Sequence, residues 1–115
     1  MRNNLKEYNV ISLNKDMPVF PGRAGVSERR PIHDPSAMKV EEWTYDPGTQ
    51  VHAHGHNESS ISYIIKGKLK VKLGGEECLL ETGCYYFTPP GVVHEISEII
   101  EQTTILTVAV PVKRN

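Results

Sequence analysis

The sequence has few cysteines and no long apolar run, and each shortage excludes a class of protein. Its 115 residues include only two cysteines. Cys78 and Cys84 are not spaced as a CxxC metal or redox pair, so we expect reduced thiols rather than a disulfide scaffold. The longest strongly apolar stretch lies around residues 103–112 and is too short for a transmembrane helix. We therefore expect no membrane partner.

Charge of one sign is also scarce. Thirteen basic and fourteen acidic residues are interspersed, for a formal net charge of −1. Without a basic stripe, the chain is not expected to bind nucleic acid or anionic lipid. Residues 1–6 lack the apolar stretch of a secretory signal, so we expect a cytoplasmic protein. The length and the hydrophobic fraction of 38% are ordinary for one globular domain.

Two parts of the chain differ in their pattern. Residues 14–37 are rich in proline and glycine and predict an irregular arm, with short strand pairing allowed at its edges. From residue 38 onward, short β-branched and aromatic runs alternate with turn residues and predict an all-β barrel or sandwich. We expect one domain, in which residues 1–37 form an N-terminal strand and irregular arm and residues 38–115 form the barrel.

Several strands can be predicted individually. Residues 68–73 alternate lysine with leucine or valine and are followed by Gly74-Gly75, which predicts a hairpin with residues 76–80. Further strands are predicted over residues 84–88, 92–97 and 103–111. No segment has the periodicity of an amphipathic helix.

Three of the five histidines lie within five residues of one another. An extended strand would turn five side chains of the same parity toward one face: His52, His54, His56, Glu58 and Ser60. Two imidazoles at i and i+2 can reach one ion at ~2.1 Å, and His94 would supply a third from a neighbouring strand. We predict a divalent transition metal, iron, manganese, nickel or zinc, on His54, His56 and His94. The alternative, that these histidines only satisfy backbone carbonyls, fits His52 best.

The spacing around these histidines resembles the two sequence motifs of the cupin superfamily. The first consists of Gly48, five residues, His54, one residue, His56, three residues, Ser60, six residues and Gly67. The second consists of Gly83, five residues, Pro89, one residue, Gly91, two residues, His94, three residues and Glu98. Ser60 stands where the family usually has a glutamate ligand, and Glu98 where it usually has asparagine.

The resemblance implies an RmlC-like jelly-roll barrel, a double-stranded β-helix, with a metal on the three histidines. The missing glutamate leaves the fourth ligand open between Ser60, Glu58, His52 and water. Three neutral imidazoles would leave the full charge of the ion in place. A barrel without metal, retained as a structural unit, is a further alternative.

Family members that share these motifs act on small oxygen-rich molecules such as carboxylates, sugar acids or enediols, which implies bidentate capture by the metal. A metal-dependent enzyme of dioxygenase, isomerase or lyase type is the favoured interpretation. A non-catalytic cupin that binds or senses a small ligand is the alternative. We also predict a homodimer, because the exposed edges of a small barrel need cover.

A few other side chains are candidates for work on a bound ligand. Glu58 is a candidate base or ligand, or else a solvated carboxylate at the rim. Tyr86 could donate a hydrogen bond to a substrate, although packing is the default role of a strand tyrosine. Three arginines of the arm could hold a carboxylate over the barrel mouth, or else lie in a solvated loop: Arg23, Arg29 and Arg30.

Overall fold

The computed structural model describes residues 19–112, which form an antiparallel β-structure without a helix. The strands are β1 (Phe20–Pro21), β2 (Val26–Asp34), β3 (Met38–Tyr45), β4 (Val51–His54), β5 (Glu58–Leu73), β6 (Glu76–Glu81), β7 (Tyr85–Thr88) and β8 (His94–Pro111). In this part of the chain no helix is long and apolar enough to cross a membrane. The predicted N-terminal strand and the start of the arm, residues 1–18, lie outside the described residues.

Two long strands build both walls of the barrel. β5 and β8 pair along most of their length, from Glu58 opposite Pro111 to Leu73 opposite His94. The first half of β5 and the second half of β8 belong to one wall with β2, β3 and β7, which we call the long wall. Their other halves belong to a second wall with β4 and β6, the short wall. This sharing of strands gives the predicted jelly-roll barrel, which is confirmed.

The passage from one wall to the other depends on Gly67. Its φ is +122°, and a Cβ at this position would lie 2.3 Å from Thr103 Oγ1 and 2.6 Å from the Gln102 carbonyl oxygen. The Lys68 backbone N–H donates to Thr103 Oγ1 across 3.2 Å. Thr103 is completely buried at this crossing. Because both the backbone angle and the close approach exclude a side chain, only glycine fits here.

The core lies between the two walls. Ile64 and Ile105 face inward from the long wall, and Leu69, Val71 and Ile99 are equally buried. The predicted hairpin of residues 68–73 and 76–80 is present in β5 and β6, with Leu69 and Val71 in the core and Leu73 and Leu80 packed against it. Both cysteines are free thiols, as expected.

The prediction of an irregular arm is wrong over residues 26–34. These residues form β2, which pairs with β3 and extends the long wall. Pro31 lies within a register shift between Arg29 and Ile32, where a missing backbone N–H interrupts no regular ladder. The proline density of the segment therefore indicated a bulged strand near the sheet edge rather than irregular structure.

The predicted strands over residues 92–97 and 103–111 are parts of one strand. β8 runs from His94 to Pro111 without a turn. Its register against β5 shifts several times between Ile64 and Val71, which lets the pair bend while most of the ladder is kept. The two predicted strands are therefore joined by a bend rather than by a turn.

Candidate metal centre

Two of the three predicted metal ligands lie opposite each other on paired strands. His54 ends β4 and faces His94, the first residue of β8, with ring centroids 4.3 Å apart. Between Val51 and His54, β4 has one residue more than β8. This bulge allows Val51 and His54 to line the same cavity although their parity differs.

His56 belongs to the connection between β4 and β5. Its ring centroid lies 5.2 Å from that of His94 and 5.9 Å from that of His54. The backbone N–H of Gly91 donates to the His56 carbonyl oxygen across 3.0 Å, which ties the two sequence motifs together. One nitrogen from each of the three histidines lies within 4.8 Å of the others.

Backbone carbonyls orient two of these rings. His54 Nδ1 lies 2.9 Å from the His52 carbonyl oxygen, and His94 Nδ1 lies 3.3 Å from that of Val92. A carbonyl only accepts, so each Nδ1 carries the hydrogen and donates it, and the lone pair of each Nε2 remains for a metal.

The third ring has an unsatisfied nitrogen. His56 Nδ1 is buried and has no hydrogen-bond partner within residues 19–112, and Glu58 Oε1 is 3.6 Å away. Buried polar atoms without partners are uncommon, and Glu58 Oε1 is the acceptor that lies beside this one. Three imidazoles with nitrogens directed together fit a divalent transition metal.

The electrostatic surroundings of His94 favour its role as a metal ligand. Burial lowers its pKa, the contact of Nδ1 with the Val92 carbonyl works in the opposite direction, and the neighbouring His54 and His56 lower it further. The ring is therefore neutral at neutral pH. A metal requires this form, because a protonated imidazole has no free lone pair.

The histidines open onto a cavity of about 380 Å³ between the walls. Glu58, Ser60 and Tyr86 line it with them. His52 is exposed and outside it, because the bulge in β4 turns Val51 and His54 inward. The strand predicted to run through residues 52–60 ends at His54 and resumes at Glu58. The single-strand prediction is thus wrong, and His52 does not reach the site.

The structure separates the three arginines. Arg23 lines the cavity and donates to the Gln50 carbonyl oxygen. Arg30 instead pairs with Glu28 at 3.0 Å and lies over the ring of Phe20, 4.5 Å from its centroid. Neither Arg30 nor Arg29 lines the cavity. Of these three arginines, only Arg23 is placed to meet an anion bound in the cavity.

Glu58 does not hold the position of a solvated rim carboxylate. Its Oε2 accepts from Lys39 Nζ at 2.9 Å, and its side chain is only 19% exposed. Its other oxygen faces His56. Glu98, the departure at the end of the second motif, faces away from the cavity and pairs with Lys70 at 3.5 Å.

Ser60 and Tyr86 lie on the long wall. Ser60 is buried, with Thr88 and Ala109 as its register partners. Burial raises the pKa of the Tyr86 hydroxyl, while its hydrogen bond with Ser62 lowers it. The phenol therefore remains protonated and is available as a donor.

The sequence prediction missed several cavity residues. Lys39 and Glu41 point inward from β3, and Ser62, Thr88 and Thr107 line the cavity from the other strands of the long wall. Burial raises the pKa of Glu41, and a hydrogen bond with Glu28 adds to the rise. The parity that Lys39 and Glu41 share with Trp43 could have revealed them, because alternate strand residues face the same side.

Comparison with known proteins supports the fold. An RmlC-like cupin from Shewanella frigidimarina has a TM-score of 0.82 at 19% identity, covering 93% of this chain and 95% of that one. KdgF from a Halomonas species has a TM-score of 0.78 at 20% identity, covering 88% and 94%. A salicylate 1,2-dioxygenase from Pseudaminobacter salicylatoxidans has a TM-score of 0.67 at 18% identity, covering 74% of this chain and 26% of the dioxygenase.

At these identities the structural matches establish the fold alone. The sequence model of the Cupin domain family matches residues 41–109, more than half of the 115-residue chain. The matched segment contains all three histidines of the candidate metal centre. The sequence match and the fold agree, and this chain therefore belongs to the cupin domain family.

Proposed function

We propose that this cupin is a metal-dependent enzyme that acts on a small oxygen-rich molecule, a carboxylate, sugar acid or enediol. The observation that supports the proposal is the convergence of three histidine nitrogens beside a cavity of about 380 Å³. A set of three protein ligands leaves positions for two oxygens of a substrate. A bound divalent ion would supply Lewis acidity that polarises those oxygens.

Of the two cationic side chains of the cavity, Arg23 favours an anionic substrate, because Glu58 offsets the charge of Lys39. Arg23 and Lys39 both line the cavity. Lys39 is held by Glu58 and Arg23 by a backbone carbonyl, so neither needs to be ordered when a ligand binds. The fourth metal position falls to Ser60, Glu58 or water, since His52 lies outside the cavity.

We assign the movement of a proton at the substrate to Glu58. Its carboxylate is oriented by Lys39 on one side and lies 3.6 Å from the His56 ring on the other. The same carboxylate accepts from the His56 N–H when that ring turns its other nitrogen to the metal, which orients the ligand. Tyr86, protonated and buried in the long wall, donates to an oxygen of the bound substrate.

A turnover assay tests this function. Protein loaded anaerobically with iron(II), manganese, nickel or zinc is assayed against a panel of small carboxylates, sugar acids, enediols and diketones. We expect turnover with at least one ion, and oxygen consumption identifies the dioxygenase type. Glu58→Gln should keep the three histidine ligands but lower kcat tenfold or more, because the amide cannot accept a proton.

Glu98→Gln is the matched control for this assay. Its carboxylate is also paired with a lysine but lies outside the cavity, so kcat should not change. Metal-dependent binding of a ligand with no turnover by any loaded form would contradict the enzyme. That result would favour the second candidate, a ligand-binding cupin, for which Ser60 in place of the family glutamate is the supporting observation.

We propose a homodimer as the assembled form, joined through the outer face of the long wall. Cross-strand pairs of β5 and β7 place Ile61 beside Phe87 and Tyr63 beside Tyr85, with the two tyrosine rings 4.6 Å apart. Tyr85 is 63% exposed and Phe87 58% exposed. A cluster of exposed apolar side chains on adjacent strands is typical of an association surface.

Replacing one of these side chains is expected to weaken the dimer. Phe87→Ser should raise its dissociation constant at least tenfold, since buried aromatic side chains contribute much of the binding energy of an interface. Light scattering across a micromolar concentration series measures the change. Leu79→Ser is the matched control, because Leu79 has the same 58% exposure on β6 of the other wall. A wild-type monomer would contradict the dimer without affecting the metal site.

A further inference from the structure

The long wall carries a set of hydroxyl groups, of which the proposed metal chemistry gives a role only to Ser60 and Tyr86. Ser62 lies in register between Thr107 on β8 and Tyr86 on β7. Its Oγ is 2.9 Å from Thr107 Oγ1, and the Tyr86 hydroxyl bonds to it from the other side. One step along β5, Ser60 lies opposite Thr88. These side chains line the cavity, and we call them the hydroxyl row: Ser60, Ser62, Tyr86, Thr88 and Thr107.

One member of the hydroxyl row lacks a partner. Thr88 is 2% exposed, and its Oγ1 makes no hydrogen bond to any of the described residues 19–112. A buried hydroxyl without a partner destabilises the fold by about 1–3 kcal/mol relative to a satisfied one. Oγ1 itself is shielded, so a molecule bound in the cavity that Thr88 lines would supply the missing partner once the hydroxyl turns toward it.

The hydroxyl row and the histidines lie on opposite walls. His54 and His94 belong to the short wall through the pairing of β4 with β8. The row belongs to the long wall, through the opposite halves of β5 and β8 and through β7. A small molecule held at the histidines therefore has the row as its other neighbour.

The groups along the row are suited to neutral polar partners. Burial raises the pKa of Tyr86, which remains a neutral phenol. Glu41 lies opposite Thr107 in register, and burial together with the hydrogen bond to Glu28 raises its pKa as well. Hydroxyl groups both donate and accept, so they can pair with the hydroxyl groups of a ligand, which do the same.

We propose that the hydroxyl row is a subsite for the hydroxyl groups of the ligand, and that the substrate class is a polyhydroxylated carboxylic acid. The proposal rests on the proposed function, in which the carboxylate end meets the histidines. An alkyl chain would leave Thr88 Oγ1 without a partner, whereas a chain bearing hydroxyls would satisfy it. A site built to bind hydroxyl groups rejects analogues that lack them, because its polar groups are then left unpaired.

Matched ligand pairs test the subsite. Calorimetry on the protein, both zinc-loaded and metal-free, compares D-gluconate with hexanoate and L-tartrate with succinate. We expect the hydroxylated member of at least one pair to bind at least tenfold more tightly. Thr88→Val and Ser62→Ala should bring that ratio close to one and leave the affinity for hexanoate and succinate unchanged.

The control variant carries a similar hydroxyl on the same wall. Thr44 Oγ1 lies 3.1 Å from Thr104 Oγ1 outside the cavity, so Thr44→Val should leave the ratio unchanged. Thermal unfolding supplies a second readout that does not need a ligand. Thr88→Val should be at least as stable as the wild type, because it removes a hydroxyl that has no partner.

Two results would overturn the subsite. The first is that neither hydroxylated ligand binds more tightly than its unhydroxylated partner, which includes the case in which none of the four ligands binds. The second is that Thr88→Val and Ser62→Ala leave the ratio of the two affinities unchanged. The proposed function fails separately, by the absence of bound metal or of turnover. A hydroxyl preference in metal-free protein would support the subsite even then.

Discussion

The wild-type protein is expected to bind close to one metal ion per chain, and the His94→Ala and His54→Ala variants are expected to lose it. The nitrogens of these residues lie with that of His56 within 4.8 Å of one another. Nitrogens at ~2.1 Å from one ion are about 3–4 Å apart, so small side-chain rotations complete the site. Loss of one of three ligands should weaken binding at least about a hundredfold, more than loss of an outer-shell partner does.

Elemental analysis of purified and dialysed protein measures this effect. The matched control is His52→Ala, since His52 belongs to the same segment but is exposed and outside the cavity. This variant keeps the backbone carbonyl that orients His54, so its metal content should equal that of the wild type. A wild-type protein without stoichiometric metal after anaerobic loading with iron, manganese, nickel or zinc would contradict the metal site and the enzyme with it.

The Gly67→Ala variant is expected to lose about 2–5 kcal/mol of its free energy of unfolding, because strain and overpacking add. The strain arises from a φ of +122°, which residues with a side chain rarely adopt. The overpacking arises because a Cβ would lie 2.6 Å from the Thr103 Cα and 2.3 Å from its hydroxyl oxygen. Thr103 is hydrogen-bonded through its hydroxyl to the Lys68 backbone and is completely buried, so it cannot move aside.

Urea unfolding measures the free energy of unfolding, and an unchanged m-value shows that unfolding exposes the same amount of surface in the variant as in the wild type. Gly83→Ala separates the two causes, because Gly83 has a φ of +92° and no heavy atom within 4 Å of an added Cβ. This control should cost only about 1 kcal/mol. Equal costs for the two variants would show that the close approach at the crossing of β5 and β8 is not a constraint.

Much of the site could be predicted because the three histidines belong to two short motifs with fixed internal spacing. His54 and His56 are two residues apart, and the turn before His94 holds the His56 backbone. The resemblance of both motifs to those of cupins therefore placed three side chains that the structure brings together. Alternation within residues 68–73 similarly predicted the correct inward face of that hairpin.

The opposite wall of the cavity could not be predicted in the same way. Glu41 and Thr107 are neighbours only because β3 pairs with β8, and Ser60 and Thr88 only because β5 pairs with β7. The register of such pairs depends on where bulges and bends fall along the strands. For the same reason the inward position of Val51 and the outward position of His52 were missed.

The sequence by itself determined the all-β class, since periodicity is a local property of the chain. Its resemblance to the two cupin motifs implied the jelly-roll barrel and supported the grouping of the three histidines. The tertiary structure alone decided that β2 extends the long wall, that β5 and β8 cross at Gly67, and that a row of hydroxyls faces the histidines. These features join residues far apart in the chain, and pairing over such separations depends on the packing of the whole barrel.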